Sequence, residues 1–403
     1  MFVSLVNRIK KYTNGFHLLY LISLFLCLFC LTFSTHYTPA ITQFLTPQEF
    51  TRLIRECSEP GGFFQSDNWV SNELSYLDVL EPLDQNKIKG GVYIGVGPEQ
   101  NFTYIAAIKP ELAFIVDIRE QNRMQHLYYK ILFELAETRA EYLSLLFSKP
   151  LDPKKDTMLK KNHNIDSLVT YFYQTLPDFK MCDKTLNRVL ELLRVKYEFQ
   201  LTSSEQSELT YVIATFYGYS LDITYTGLQQ QRRSRFPSLG DLLQSRTPTG
   251  EQKNPFNSDE DYLYLRKMNL ENRIVPITGN FGGSKALKAI AQYVTKQKKT
   301  VSAFYVSNVE QYLFRNRTDW QHWIENVKAL PITDTSVIIR WTHSAGMYQR
   351  NGNTYPPVFP NSWMQGTSID GKTQLQWIKT FIKNCNEGKY QAYSDLILLN
   401  YIK

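Results

Sequence analysis

Four apolar runs, each ending in glycine or polar residues, constrain the fold of this chain more than any other feature. They span residues 91–97, 112–118, 274–280 and 301–308. Helical apolar spacing follows the first two runs, and alternating strands and helices predict a parallel sheet with helices on both faces. Because the carboxyl ends of parallel strands meet at one edge, the residues that end these runs should converge on a ligand site.

The first part of the predicted α/β domain covers residues 41–150. Thr46 begins a capping-type sequence that leads into a short helix through Arg55, and residues 70–80 have helical apolar spacing. A further helix is predicted from about Asn101, between the first two strands. One long amphipathic helix should then run from residue 119 to residue 147.

A helical insertion is predicted between the two halves of the sheet, over residues 151–257. Its apolar spacing indicates helices at 165–176, 186–197 and 209–217, the last preceded by a capping box of Ser203 and Gln206. The polar segment 229–257 that ends the insertion is rich in turn residues, which predicts a linker or a lid.

The second half of the α/β domain is predicted over residues 258–403, where the strand and helix pattern resumes. Two late apolar runs, 337–341 and 396–402, should complete the sheet.

The amino-terminal 40 residues form a separate hydrophobic segment. Three basic residues precede an apolar run at 18–33, which is long for a signal-peptide core and slightly short for a comfortable membrane span. We favour an uncleaved signal anchor, with secretion after cleavage near residues 38–40 as the alternative. Since three basic residues lie before the run and residues 34–50 after it contain none, the charge rule predicts a single-pass membrane protein whose main domain is extracytoplasmic.

Composition excludes several classes of protein. The formal net charge is +7, but the basic residues are spread along the chain in short clusters, so no nucleic-acid partner is expected. Beyond the amino-terminal apolar run only Cys57, Cys182 and Cys385 remain, without the spacing of a metal site. These three cysteines allow at most one disulfide, and no metal is predicted.

The first candidate site residues are Gly95 and Gly97, in the turn after the first strand. Glycines there let the backbone approach a ligand closely, and Asp117, 22 residues beyond Gly95, could accept both hydroxyls of a ribose. The alternative for Asp117 is a cap on the helix near residue 119. Gln100 stands where a dinucleotide fingerprint needs glycine, so a cofactor without phosphates, such as S-adenosylmethionine, fits better.

The strand-end motifs resemble motifs I to IV of class I S-adenosylmethionine-dependent methyltransferases. They are YIGVG at 93–97, IVDI at 115–118, PITGNF at 276–281 and FYVSNVEQY at 304–312. The sequences SEPGG at 58–62, SDN at 66–68 and SNE at 71–73 are also similar to a family of largely uncharacterised bacterial proteins described as methyltransferase-like. The resemblance covers roughly residues 46–314 and implies a Rossmann-like, methyltransferase-type sheet.

The resemblance also implies roles for five residues. Gly95 and Gly97 would line the methionine and ribose end of S-adenosylmethionine, and Asp117 would hold the ribose hydroxyls. Asn280 would contact the adenine amino group, and Asn308 would lie beside the transferred methyl group. The alternative for Asn308 is a cap on the helix that follows it.

The chain departs from the methyltransferase pattern at Tyr93, where an acidic residue is usual, and at Glu99. Glu73, Glu310 and His343 are candidate bases for an acceptor that must lose a proton.

Two functions follow as expectations. One is a membrane-anchored methyltransferase with an unknown acceptor, and the other is a non-catalytic, membrane-tethered binding or scaffold protein with a protein partner. His126, in the long predicted helix, is expected at the surface or at the edge of the core.

Overall fold

The computed structural model of the chain describes residues 45–152, 164–226, 236–342, 348–350, 353–355, 371–399 and 401–402. The predicted anchor at residues 1–40 lies outside this part. Among the helices that are described, none has both the length and the apolar composition to cross a bilayer.

A seven-stranded sheet forms the centre of the fold, in the order β3-β2-β1-β4-β5-β8-β9. The first five strands run parallel, whereas β8 is antiparallel to β5 and β9 is antiparallel to β8. The predicted α/β sheet with covering helices is therefore confirmed, although it is mixed. The strand bounds are β1 Val92–Gly95, β2 Leu112–Asp117, β3 Ile274–Thr278, β4 Val301–Ser307, β5 Ile332–Thr342, β8 Lys372–Trp377 and β9 Tyr401–Ile402, with a separate hairpin of β6 Tyr348–Arg350 and β7 Asn353–Tyr355.

Helices of the α/β layers and of the insertion account for most of the remaining described residues. In chain order they are α1 Pro47–Cys57, α2 Leu80–Gln85, α3 Gln100–Ile108, α4 Glu120–Leu135, α5 Arg139–Phe147, α6 Ile165–Gln174, α7 Phe179–Val195, α8 Ser203–Tyr219, α9 Leu239–Gln244, α10 Asp259–Leu270, α11 Ala286–Lys296, α12 Val309–Leu313, α13 Arg317–Ala329, α14 Ile378–Asn386 and α15 Tyr393–Leu398.

Strands β1, β2 and β3 are buried along their whole length. Continuous apolar runs of this kind are expected when helices cover both faces of a parallel sheet. The runs were recognisable in the sequence for this reason, and their carboxyl ends lie along one edge of the sheet.

The predicted helix over residues 119–147 is in fact two helices. The first helix ends at Leu135, and Thr138 caps the second, because its hydroxyl accepts the amide of Glu141 while the Glu141 carboxylate accepts the amide of Thr138. This capping box supplies backbone partners for the start of α5, so the chain turns between Leu135 and Arg139. The single long helix predicted from apolar spacing was wrong at this point.

The insertion packs directly on the α/β layers. Phe216 of α8 contacts Tyr129 of α4 with ring centroids 5.9 Å apart. Glu205, at the start of α8, is buried and bonds both Arg123 of α4 and Arg55 of α1. The capping box of α8 pairs Thr202 with Glu205, one residue earlier than the predicted pair.

Two further segments contain helices that the sequence did not predict. The run at 396–402 was predicted as a strand, but it begins inside α15, whose first turn is held by the Asp395 carboxylate accepting the amides of Gln391 and Ala392. Only two residues of the run pair in β9. The segment 229–257 was predicted as a linker or lid, yet its described part contains α9, which buries three leucine side chains.

Candidate functional site

A cavity of about 290 Å³ opens at the carboxyl ends of β1 to β4. In the strand order β3-β2-β1-β4, connections leave β1 and β4 in opposite directions, and such a switch point is where open α/β sheets bind ligands. Gly97, Asp117, Asn280 and Asn308 all line this cavity. The structure thus brings together four of the five residues that the sequence singled out.

Residues 58–73 cross this carboxyl edge as an extended segment, here called the strap. Its first part is fixed to β3 by a bond of 3.0 Å from the Glu59 amide to the Thr278 carbonyl. A second bond, 2.8 Å long, runs from the Gly62 amide to the carbonyl of Ile118, next to β2. The strap therefore forms one wall of the cavity, and several of its residues line it.

The glycine turn after β1 is organised by a tyrosine and an asparagine. Gly97 has φ +80°, a backbone conformation that favours glycine. The Asn101 side-chain amide donates to the carbonyls of Val96, Gly97 and Pro98 at 2.8–3.0 Å, and its oxygen accepts the Tyr93 hydroxyl at 2.9 Å. Tyr93 therefore supports the glycine turn through Asn101.

Gly95 lies behind the cavity rather than on its lining, because it packs against the Tyr93–Asn101 pair. A Cβ added at Gly95 would overlap the Asn101 oxygen and approach the Tyr93 hydroxyl to 2.6 Å. Its role is thus to let this pair close over the end of β1. The sequence pattern alone assigned it to the ligand.

We expect Gly95→Ala to destabilise the fold by about 1–3 kcal/mol, since overpacking would push Asn101 away from the glycine turn. Gly218→Ala is the matched control, because a Cβ there meets no atom within 4 Å and alanine favours the helix. Urea unfolding of both variants measures the difference. Equal stability of the two variants would contradict this account of the turn.

His126 lies behind the same turn and is buried, so the expectation of a surface or core-edge residue was wrong. Its Nε2 lies 2.9 Å from the carbonyl of Gly97. Burial lowers the pKa of His126 to about 4, so the ring is neutral at physiological pH and Nε2 donates to that carbonyl. The imidazole therefore supports the glycine turn.

Asp117 at the end of β2 forms a buried ion pair with Arg119. Arg119 donates through Nε to Oδ1 at 3.0 Å and through Nη2 to Oδ2 at 2.7 Å, and its amide also bonds Oδ1 at 2.9 Å. Helix α4 has Arg119 at its N-cap, so Asp117 closes a local turn and does not cap the helix. Arg119 was not predicted, because spacing alone does not indicate where its side chain points.

Asn280 at the end of β3 holds its own loop. Its Oδ1 accepts the Gly282 amide at 2.9 Å, and its backbone amide donates to the Glu59 carboxylate of the strap at 2.6 Å. The oxygen expected to accept the adenine amino group is therefore already used once and keeps one acceptor position, and no partner for the side-chain amide protons is found among the described residues.

Glu73 of the strap is buried at the end of β4. Its carboxylate accepts Gln100 Nε2 at 2.7 Å, the Tyr305 hydroxyl at 2.8 Å and the Ser307 hydroxyl. Burial raises the pKa of Glu73 to about 7. Asn308 directly follows Ser307 in the chain. Its side chain does not cap α12 and has no hydrogen bond within the part of the chain that the structure describes.

The other two candidate bases do not reach this cluster. Glu310 is buried and accepts both Nε and Nη2 of Arg340, with Trp323 Nε1 donating at 3.2 Å. Glu310 is therefore part of a structural ion pair and not an available base. His343 lies outside the described residues.

The raised pKa of Glu73 makes stability depend on pH. The folded state keeps the proton to a higher pH than an ordinary carboxyl of pKa 4.5, so this contribution to the unfolding free energy falls as pH rises from about 4.5 to 7. The loss should be on the order of 3 kcal/mol, and Glu73→Gln should remove it. Urea unfolding at pH 4.5 and pH 8 measures both proteins, and identical pH profiles would contradict the assignment.

Three cysteines lie in the described part of the chain. Cys57, Cys182 and Cys385 are free thiols. Within the described ranges, no group of three or more histidine, cysteine or acidic side chains could hold a metal ion.

Comparison with known proteins identifies a family, but the function of that family is unknown. No curated protein matches this sequence. A family described as a domain of unknown function, DUF7790, matches residues 68–168 and 200–364. These ranges include most of the cavity lining, from Asn68 to Asp319. The chain therefore belongs to the DUF7790 family.

Proposed function

We propose that the cavity binds S-adenosylmethionine and that the chain is a methyltransferase. One observation carries the proposal: the charge of the cavity wall. The charged residues that line it are Glu73, Asp117, Asp319 and Arg119, and Arg119 is already paired with Asp117. The Asp117–Arg119 pair is neutral as a unit, so Asp319 and, once it ionises, Glu73 remain, and these carboxyls favour a cationic ligand and disfavour phosphates.

The lining residues fit S-adenosylmethionine, a sulfonium cation. Asp117 would hold the ribose hydroxyls, since a carboxylate has about four acceptor positions and can bond a ligand as well as Arg119. Asn280 would contact the adenine, and Gly97 gives the methionine end close access to the backbone. The cofactor would supply a methyl group on a sulfonium, and this chain's part is to orient an acceptor beside Asn308.

One observation favours a second candidate, a non-catalytic binding protein. Arg119 occupies both oxygens of Asp117, so a ligand would have to share this carboxylate. If the ion pair excludes the ribose, the cavity would serve a protein partner instead.

A series of ligands that differ in charge distinguishes these functions. We expect S-adenosylmethionine to raise the thermal unfolding midpoint most and ADP not to raise it at all. S-adenosylhomocysteine, the reaction product whose sulfur is uncharged, should raise it less than S-adenosylmethionine. The order follows from charge, because the second ligand lacks the positive charge of the first and ADP carries negative charge. No shift with the first two ligands at millimolar concentration would favour the non-catalytic protein.

We also propose attachment to the membrane through residues 1–40, with the main domain outside the cytoplasm. The support is the charge asymmetry of that segment. A reporter that works only outside the cytoplasm should be active when it is fused after Lys403. Activity of a reporter that works only in the cytoplasm, fused at the same place, would overturn this orientation and leave the cofactor proposal unaffected.

A further inference from the structure

A group of aromatic side chains, here called the aromatic rim, lines the cavity together with polar residues. Phe63 and Phe64 of the strap, Tyr225 of the insertion and Tyr312 of α12 all line the cavity. Phe64 and Tyr312 meet edge to face with centroids 5.4 Å apart. Phe63 is 90% exposed, although exposure of a large apolar side chain to water is unfavourable. Rings arranged in this way favour a planar ligand.

Polar residues of the lining lie at the end of β4. Ser307 has φ +49°, a strained conformation for a residue with a side chain, and its hydroxyl bonds Glu73. Asn308 follows Ser307, and its side-chain amide makes no hydrogen bond inside the described ranges. Glu73 accepts three hydrogen bonds of about four possible, so one acceptor position remains.

We propose that the acceptor is a phenolic hydroxyl group, whose ring lies against the aromatic rim and whose proton is taken by Glu73. This inference rests on the proposed function and adds its substrate class. A carboxylate or phosphate acceptor is disfavoured, because the cavity wall offers no unpaired cation among its lining residues. A phenol is planar and uncharged, and it must lose a proton to become methylated.

The transfer is balanced without any further reactant. The phenolic oxygen forms its bond to the methyl carbon while the carbon–sulfur bond breaks and leaves its electron pair on sulfur. The hydroxyl proton moves to the Glu73 carboxylate. The products are a methyl ether, a neutral thioether and a protonated glutamic acid.

Other titratable groups near Glu73 do not provide this function. Glu99, Tyr93, Tyr104 and Tyr305 are the groups that interact with its charge. Burial raises the pKa of all three tyrosines, so they stay protonated. The Glu99 carboxyl lines a separate, smaller cavity of about 20 Å³.

Binding of 4-methylphenol to the 403-residue chain without cofactor tests the rim independently of activity. Line broadening of the ligand's proton NMR signals measures its affinity. We expect Phe63→Ala to weaken binding about fivefold, and cyclohexanol and benzoate to bind at least tenfold more weakly than 4-methylphenol. Phe179→Ala is the matched control, since Phe179 is an exposed phenylalanine of α7 and does not line the cavity.

Methyl transfer tests the base. With S-adenosylmethionine, the kcat of the wild type should increase as the pH rises through about 7. The Glu73→Gln variant should not show this increase, and its rate at pH 7 should be at least 100-fold lower than that of the wild type. The variant should recover towards pH 9.5, where the phenol ionises by itself. A purely structural role of Glu73 would not give this recovery.

Two acceptors separate the possible sources of the phenol. Methylation of 4-methylphenol alone would identify a small molecule, and methylation of N-acetyltyrosinamide alone would identify a protein side chain. S-adenosylmethionine binding without methylation of either would overturn the acceptor class and leave the proposed function standing. A pH step that persists in Glu73→Gln would overturn the base, and absence of cofactor binding would overturn the proposed function itself.

Discussion

Asp117→Ala should weaken S-adenosylmethionine binding by roughly 100-fold or more. The variant loses the carboxylate that would bond the ribose, which costs about 3 kcal/mol for two charge-assisted hydrogen bonds. It also leaves the Arg119 guanidinium without its acidic partner next to a cationic ligand. S-adenosylhomocysteine lacks the sulfonium charge, so its affinity should fall less than that of S-adenosylmethionine.

Calorimetric titration of wild type, Asp117→Ala and Asp334→Ala measures this effect. Asp334 is the control because its side chain is 86% exposed and pairs with Lys379 at the surface. Equal affinities for wild type and Asp117→Ala would remove Asp117 from the site. An equal loss in the Asp334 variant would point to a general change in the protein.

Glu310→Ala should lower the free energy of unfolding by about 3–5 kcal/mol. Arg340 and Glu310 are 1% and 0% exposed, and removing one partner leaves a buried, unpaired charge. Urea unfolding measures the loss, with Glu325→Ala as the control, because Glu325 is an exposed glutamate of α13. That control should change stability by less than about 0.5 kcal/mol.

A double variant keeps this prediction testable if Glu310→Ala does not fold. Glu310→Leu with Arg340→Met removes both charges, and apolar replacement of a buried ion pair is often neutral or stabilising. We expect the double variant to be more stable than Glu310→Ala. If Glu310→Ala had wild-type stability, the structural assignment would be wrong and Glu310 would again be a candidate base.

The parts of the fold that could be predicted were those determined by local apolar patterns. Strands β1 to β4 are buried runs with polar ends, and both properties are visible in the sequence. Strand β8 was missed because its buried side chains include Gln374 and Gln376. These amides bond the carbonyls of Ile397 and Leu399, which a pattern of apolar residues does not reveal.

The candidate site shows the same limit. Gly97 and Asp117 could be placed at strand ends from their spacing alone. Glu73 could not be assigned to the end of β4, because its partner Ser307 is 234 residues away and the helical apolar spacing of residues 70–80 says nothing about this contact. Arg119 was missed since its neighbours in sequence say nothing about the direction of its side chain.

Direct calorimetric titration of the 403-residue chain with S-adenosylmethionine tests whether the cavity binds this cofactor. We expect one ligand per chain, bound with micromolar affinity, which corresponds to a binding free energy of about 8 kcal/mol. Absence of binding at millimolar ligand would contradict it and leave this α/β fold with another ligand or with a protein partner.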